Sequence, residues 1–176
     1  WYAIAKISGI HLCNALRIEH NFNAISLMPT NLYGPGDNYH IQNSHVLPAF
    51  IRRFHEAKLK NYSSVTCWGS GKPLREFLHV SDLADACLHA LKFWDPLSEN
   101  APKDDYGEVL GFLNVGTGID LTIKELATKI ANHINYEGEI IWDSSKPDGT
   151  FKKQLDISRM SKLGWKPKVN IDEGIS

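Results

Sequence analysis

Apolar residues recur at helical spacing over residues 2–20, and the pattern becomes extended soon afterwards. The helical repeat lies in a stretch without proline and consists of Ile7, Ile10, Leu12, Leu16 and Ile18. A short, mainly apolar run over residues 24–28 then stops at Pro29. Apolar spacing near the helical period favours an amphipathic helix, whereas a short continuous run favours a buried strand. The chain is therefore predicted to open with a long helix followed by a strand.

The rest of the chain alternates between the same two patterns. Helices are predicted at about 44–58, 83–93, 121–134 and 158–163, and Ser81-Asp82 is expected to cap the second of these. Strands are predicted at 65–68, 77–80, 112–115 and 139–142, with a surface loop over 95–107. Alternation of strands and helices at this length predicts an α/β fold with a parallel component. The sheet is expected to be incomplete.

Composition is that of a globular protein, with 43% hydrophobic and 22% charged residues. The 19 basic and 20 acidic residues give a net charge of −1 and are spread along the chain, which argues against nucleic acid as the main partner. Cys13, Cys67 and Cys87 form neither a Cys-x-x-Cys pair nor an even set, as suits a reducing compartment. Without a signal peptide or a long apolar run, we expect a cytoplasmic location, no membrane partner and no metal.

The first candidate for chemistry is the pair Tyr2 and Lys6. Positions i and i+4 lie on one face of a helix, so the phenol and the ammonium are expected to be neighbours. An ammonium beside a phenol favours the phenolate, and such a phenol can act as the general acid of a carbonyl-reducing enzyme. Tyrosine and lysine also occur at this spacing by chance in many helices, so the pair alone leaves both interpretations open.

No Gly-x-Gly-x-x-Gly or Gly-x-x-Gly-x-x-Gly turn occurs in the chain. Such turns cradle dinucleotide phosphates between a strand and the helix that follows it. A catalytic helix that begins at residue 2 also has no preceding elements to position it. We therefore expect the chain to be the second half of a larger fold.

Several segments together resemble the C-terminal part of one family, the extended short-chain dehydrogenases/reductases. The matching segments are residues 2–6, 28–35, 43–48, 52–57, 68–71, 75–80, 114–118 and 145–150. The Tyr-x-x-x-Lys pair and the Asn-x-Gly turn are shared across the superfamily. Three sequences, Pro-Thr-Asn-Leu-Tyr-Gly-Pro, Asn-Ser-His-Val-Leu-Pro and Ser-Lys-Pro-Asp-Gly-Thr, are closer to one branch that acts on a GDP-linked keto-sugar. The resemblance covers nearly the whole chain and lacks the family's N-terminal nucleotide-binding half.

The resemblance implies a fold and an activity. The expected fold is an incomplete Rossmann-like sheet plus a small α/β substrate-binding domain. Residues 1–35 would end the dinucleotide-binding domain, and residues 36–176 would form mainly the substrate-binding domain, interleaved with a returning Rossmann strand and helix. Enzymes of this branch epimerise C3 and C5 of GDP-4-keto-6-deoxy-mannose and reduce C4 with NADPH, which gives GDP-L-fucose.

Other interpretations stay open beside this activity. The chain could belong to another NAD(P)-dependent nucleotide-sugar epimerase or dehydratase, or be a non-catalytic nucleotide-sugar-binding module or a truncated chain that only folds and dimerises. The isolated chain is expected to be inactive, because the phosphate turn and the family's upstream serine and cysteine are absent from it. A homodimer is expected through the helix that carries Tyr2 and Lys6.

The same resemblance assigns roles to individual residues. Tyr2 would donate a proton to the ketone oxygen, Lys6 would support Tyr2 and the nicotinamide ribose, and His45 would act as an acid in the epimerisation. Contacts with NADP(H) are expected from Tyr2, Lys6, Pro29, Thr30, Asn31, Leu32 and His45. Contacts with the GDP-sugar are expected from Asn31, Arg53, Trp68, Arg75, Asp148 and Lys153. Arginine suits a diphosphate because its planar guanidinium donates two hydrogen bonds at once.

Overall fold

The computed structural model describes residues 1–176 and contains six helices and eight strands. The helices are α1 (Tyr2–His20), α2 (Val46–Leu59), α3 (Val80–Phe93), α4 (Ile123–Ile134), α5 (Ser158–Lys162) and α6 (Ile171–Ile175). The strands are β1 (Ser26–Pro29), β2 (Asn31–Tyr33), β3 (Ser64–Trp68), β4 (Leu74–His79), β5 (Phe112–Val115), β6 (Asp120–Thr122), β7 (Glu139–Asp143) and β8 (Lys152–Lys153). Every helix and strand predicted above is present, with ends that match the prediction or differ from it by a few residues. Leu121 and Thr122, which were predicted to begin a helix, lie on β6 instead, because this segment pairs with β4 before α4 starts.

Helix caps explain where two of these helices begin. Thr122 caps α4 in a capping box, in which its side chain accepts the Glu125 backbone N–H while the Glu125 carboxylate accepts that of Thr122. The expected cap of α3 is wrong. The N-cap is His79, whose Nδ1 accepts the Ser81 backbone N–H at 3.3 Å. Ser81 and Asp82 lie inside the first turn because β4 runs directly into the helix.

The strands form three small sheets. The pair β1–β5 is parallel, as is the pair β3–β7. In the third sheet, β4 lies between β2, which is parallel to it, and β6, which is antiparallel, while β8 pairs with the beginning of β4. The predicted α/β fold with a parallel component is confirmed.

Two hydrophobic cores hold the elements together. The larger core lies between α2 and α4 and the sheet strands beside them, and its fully buried members include Phe54, Leu126 and Ile130. The second core packs α3 and α5 against the β1–β5 pair, with Leu113 and Met160 at its centre. An apolar stripe that covers about one-third of a helix's surface is enough to form such a core. Strand β1 packs against the second core, whereas α2 belongs to the larger one.

Helix α1 differs from the other long helices, α2, α3 and α4, because none of its residues is buried. Ile4, Ile7 and Leu12 are each more than half exposed. Its C-terminal half contacts the rest of the chain, since the Arg17 guanidinium lies 5.3 Å from the ring centre of Trp94. The first turns of α1 therefore present apolar side chains to solvent. None of the six helices is both long enough and apolar enough to cross a membrane.

Candidate active site at the end of the first strand

A cleft of about 650 Å³ lies where β1 and β2 meet the beginnings of α1 and α2. Seven of the residues expected to bind cofactor or substrate line it, namely Tyr2, Pro29, Thr30, Asn31, Leu32, His45 and Arg75. Five further residues complete the lining, namely Asp37, Val46, Leu47, Pro48 and Phe77. A concave, partly apolar site with a few convergent polar groups is the usual form of a small-molecule site.

Backbone and side-chain hydrogen bonds hold the strand end that forms one wall of the cleft. The Thr30 backbone N–H donates to the Val115 carbonyl at 3.0 Å. Two side chains then donate to one acceptor, because Thr30 Oγ1 lies 3.2 Å and Asn31 Nδ2 lies 2.7 Å from the Glu76 carbonyl oxygen. The segment between β1 and β2 is thereby held against β4. Open α/β proteins bind ligands at such carboxyl ends of strands.

Tyr2 and Lys6 are neighbours on α1, as their spacing predicts. Lys6 Nζ lies 5.4 Å from the centre of the Tyr2 ring. Tyr2 is 79% exposed and reaches the cleft, whereas Lys6 does not line it. The phenol is therefore available to a ligand in the cleft with an ammonium behind it.

His45 enters the cleft from the N-cap position of α2. Its imidazole makes no capping hydrogen bond and no other hydrogen bond within the chain. The loop before it is held by its own side chains, since Asn38 Nδ2 donates to the Asn43 carbonyl at 3.1 Å and Asn38 Oδ1 accepts the His40 backbone N–H at 2.9 Å. Both imidazole nitrogens of His45 are free to exchange a proton with a ligand.

The two arginines expected at the diphosphate are separated by the structure. Arg75 lines the cleft, and its Nη1 donates to the carbonyls of Leu74 and Thr150 at 2.7 and 2.6 Å. Arg53 lies outside the cleft lining and donates to the Thr66 carbonyl on β3. Arg75 is thus the cation of the cleft.

The remaining expected substrate residues lie outside the cleft lining, at the end of β3, in the segment between β7 and β8, and on β8. Trp68 is 72% exposed, with Lys146 Nζ 5.9 Å from its ring centre. Asp148 accepts the backbone N–H and the hydroxyl of Ser70 at 2.8 and 2.6 Å, and these hydrogen bonds lower the pKa of its carboxyl. Lys153 is exposed on β8 opposite Arg75. The hydrogen bond from Arg75 to Thr150 links this group to the cleft.

The sequence analysis missed two acidic residues at or beside the cleft. Asp37 lines the cleft. It belongs to a loop rich in glycine and proline, and such a sequence is typical of a turn and does not indicate a site. Glu76 is fully buried on β4, and its carboxylate accepts the backbone N–H groups of Thr117, Gly118 and Leu155 at 2.6, 2.8 and 2.9 Å. The sequence did contain a signal for Glu76, because it lies within an apolar strand and a buried carboxylate requires hydrogen-bond donors around it.

The arrangement offers three kinds of chemistry in one cleft. A phenol can donate a proton to an oxygen, an imidazole can give or take a proton, and a guanidinium can hold an anion. None of the three cysteines lines the cleft, and burial raises the pKa of the Cys67 thiol. Acid–base chemistry next to a bound anion is therefore what the cleft supports.

Comparison with known proteins defines the class. The sequence profile of the NAD dependent epimerase/dehydratase family matches residues 1–101, and the chain belongs to this family. It is 54% identical over 175 residues to the probable GDP-L-fucose synthase 1 of Oryza sativa subsp. japonica, a match that covers 99% of this chain and 49% of that protein. It is 47% identical over 175 residues to the GDP-L-fucose synthase of Escherichia coli (strain K12), with 99% of this chain and 53% of that protein covered.

A solved structure of a similarly named protein has a similar fold. The GDP-L-fucose synthetase of Naegleria fowleri bound to NADP matches with a TM-score of 0.79 and 26% identity, covering 99% of this chain and 54% of the other. The α/β fold expected from the resemblance, that of the C-terminal part of an extended short-chain dehydrogenase/reductase, is confirmed. The chain spans about half the length of the curated relatives it matches.

Proposed function

We propose that this chain supplies the catalytic helix and the substrate-binding part of a GDP-L-fucose synthase, which epimerises and reduces GDP-4-keto-6-deoxy-mannose. The observation that carries the proposal is the meeting of Tyr2, His45 and Arg75 in one cleft, although they lie far apart in the sequence. Identities of 54% and 47% with proteins named GDP-L-fucose synthase support this substrate over other sugar nucleotides.

The chemistry assigned to the chain follows from what each group can do. The Tyr2 hydroxyl donates a hydrogen bond to the C4 ketone oxygen, which stabilises both the enolate of epimerisation and the alkoxide of reduction. Lys6, beside the Tyr2 ring, stabilises the phenolate left after proton transfer. His45 delivers a proton to a carbon next to the ketone. Arg75 holds the diphosphate in the cleft.

The cleft suits the nicotinamide end of NADP(H). Pro29 and Asn31 are exposed at the strand end and line the cleft together with Tyr2, so a planar ring can lie beside the phenol. We assign this contact to Pro29, Thr30, Asn31, Leu32 and His45, with Lys6 at the ribose. The cofactor supplies the hydride. Its phosphates require a glycine-rich turn, which the chain does not contain.

The same proposal covers organisation and assembly. We assign residues 1–35 to the end of a dinucleotide-binding domain and residues 36–176 mainly to the substrate-binding domain, interleaved with a returning strand and helix. Contacts with the nucleotide sugar at the outer end of the site are assigned to Trp68, Asp148 and Lys153. Arg53 is assigned to the same substrate. The active form is a cytoplasmic homodimer through α1. The 176-residue chain alone does not reduce the sugar.

Ligand binding by the chain tests the substrate assignment. GDP-L-fucose should bind measurably by calorimetry and compete with GDP, whereas UDP and dTDP should compete at least tenfold less well, and Arg75→Ala should weaken GDP binding. Mixing the chain with NADPH and GDP-4-keto-6-deoxy-mannose should give no change in absorbance at the NADPH band. Equal competition by UDP or dTDP would instead favour another nucleotide-sugar epimerase or dehydratase.

A further inference from the structure

Asp37 brings an acceptor to the candidate cleft that the proposed mechanism does not use. It follows β2 in the loop that leads to His45, and it lines the cleft with Tyr2 and Arg75. Its Oδ1 accepts the Asn38 backbone N–H at 2.7 Å. Its Oδ2 is shielded from solvent and has no hydrogen-bond partner. A shielded carboxylate oxygen without a donor is unfavourable unless a ligand provides one.

The other polar groups of the cleft do not provide that donor. No hydrogen bond or ion pair joins Asp37 to Tyr2, His45 or Arg75. The free donors of Arg75 and the two nitrogens of His45 thus remain on the same cleft as an unsatisfied carboxylate oxygen. Polar donors and acceptors that line a cavity without contacting each other are available to form hydrogen bonds with a bound molecule.

The loop that carries Asp37 is held in place before any ligand arrives. The Asp37 backbone N–H donates to the Gly34 carbonyl at 3.3 Å, and Asn38 spans the loop through its bond to the Asn43 carbonyl. His40 Nδ1 accepts the Gln42 backbone N–H at 3.2 Å. An acceptor fixed in this way loses little conformational entropy when it binds a donor.

We propose that Asp37 is a specificity-determining residue of the substrate site and accepts a hydrogen bond from a hydroxyl group of the hexose. This inference rests on the proposed function. A carboxylate repels a diphosphate, which Arg75 attracts, so the partner of Asp37 is an uncharged donor-rich part of the ligand. The hexose and the riboses carry such hydroxyls. The hexose is assigned because Asp37 shares its loop with His45, the group given to the sugar carbons.

Substitution of Asp37 in the 176-residue chain tests the assignment, with GDP-L-fucose and GDP as probes in calorimetry. Asp37→Asn should raise the Kd for GDP-L-fucose about tenfold, because a neutral amide replaces the charged acceptor of the hexose hydroxyl, and leave the Kd for GDP within about twofold. The Tm of the free variant should equal or exceed that of the wild type, because an uncompensated carboxylate is removed. Asp104→Asn is the matched control, since Asp104 Oδ1 also accepts backbone N–H groups but lies in a loop outside the cleft.

Three results would overturn the assignment. Unchanged GDP-L-fucose affinity in Asp37→Asn would show that the hexose does not use this carboxylate. An equal loss of GDP affinity would move the contact to the ribose or the phosphates, and a Tm several degrees below that of Asp104→Asn would make Asp37 a structural residue. If the wild-type chain binds neither GDP nor GDP-L-fucose, the proposed function fails, and the role of Asp37 fails with it.

Discussion

The buried carboxylate of Glu76 accepts the Thr117 backbone N–H at 2.6 Å and so joins β4 to the turn after β5. The same carboxylate accepts from Gly118 and Leu155, so three backbone donors depend on one side chain. The space is tight as well, because a Cβ atom on Gly116 would lie 2.2 Å from Glu76 Oε1.

Glu76→Ala is expected to lower the free energy of unfolding by about 3 kcal/mol or more, because three partly buried backbone N–H groups lose their acceptor. Glu76→Gln should cost less, since one oxygen remains. Urea denaturation of the chain measures both effects. The exposed Glu99→Gln variant is the control, and a Glu76→Ala chain as stable as this control would contradict the structural role.

Tyr2→Phe should lower ketone reduction severely in an active enzyme that contains this chain. The affinity for the GDP-sugar should stay nearly constant, because Tyr2 is 79% exposed and only a proton donor is lost. Steady-state kinetics with separate binding measurements distinguish the two effects. A parallel loss of binding and turnover would make Tyr2 a structural residue.

His45→Asn should impair epimerisation at C3 or C5 more than hydride transfer. The imidazole lies free at the start of α2, so its removal takes away a proton-exchanging group and no internal hydrogen bond. Exchange of substrate protons with deuterium from the solvent reports the epimerisation step directly. Loss of ketone reduction with intact exchange at both carbons would refute the assignment of His45.

Self-association through α1 is expected because Ile4, Ile7 and Leu12 are exposed on a helix with no buried residue. Exposed apolar surface of this kind marks an interface, and a two-fold symmetric dimer is the commonest assembly. Leu12→Glu should shift the chain from dimer to monomer in sedimentation at micromolar concentration. A wild-type chain that is already monomeric at all concentrations would argue against the dimer.

Alkaline pH should destabilise the chain through Tyr33. Burial, together with the nearby carboxylates of Asp82 and Asp172, raises the pKa of Tyr33 from 10.0 to about 12. As the pH rises, the Tyr33 phenol therefore loses its proton in the unfolded chain before it does so in the folded chain. The contribution of the Tyr33 proton to the free energy of unfolding is complete below pH 10 and is lost as the pH rises through 12. Through this group the wild type should lose roughly 2 kcal/mol of unfolding free energy between pH 9 and a pH above 11, and Tyr33→Phe should not show this loss. Denaturation at the two pH values measures the difference. Tyr62→Phe, at an exposed tyrosine, should behave as the wild type.

Elements with a strong apolar pattern were predictable from the sequence. The strand expected at 112–115 is Phe112–Val115, and the long helix expected at 2–20 is Tyr2–His20. Three short strands, Asn31–Tyr33, Asp120–Thr122 and Lys152–Lys153, and the short helix Ile171–Ile175 were missed. The three strands are held by backbone pairing with β4, and strands this short have no side-chain pattern of their own.

The sequence motifs predicted part of the lining of the candidate cleft. Tyr2, His45 and Arg75 share the cleft, but no local pattern indicates that Arg53 donates to the Thr66 carbonyl instead of lining it. Asp37 was missed because an acidic residue after glycine and proline is typical of a turn. Only the tertiary fold shows that one of its carboxylate oxygens lacks a donor.

The absence of buried residues in α1 bears on how accurately Tyr2 can be aimed. Segments with little burial open at low free energy and exchange their amide hydrogens quickly, and the first turn of a helix does so most readily. A catalytic proton donor has to stay within about half an ångström of its productive position. In the proton-donor role proposed for Tyr2, any surface that covers Ile4 and Ile7 would therefore accelerate ketone reduction by narrowing the positions that the Tyr2 hydroxyl samples, without adding a chemical group to the site.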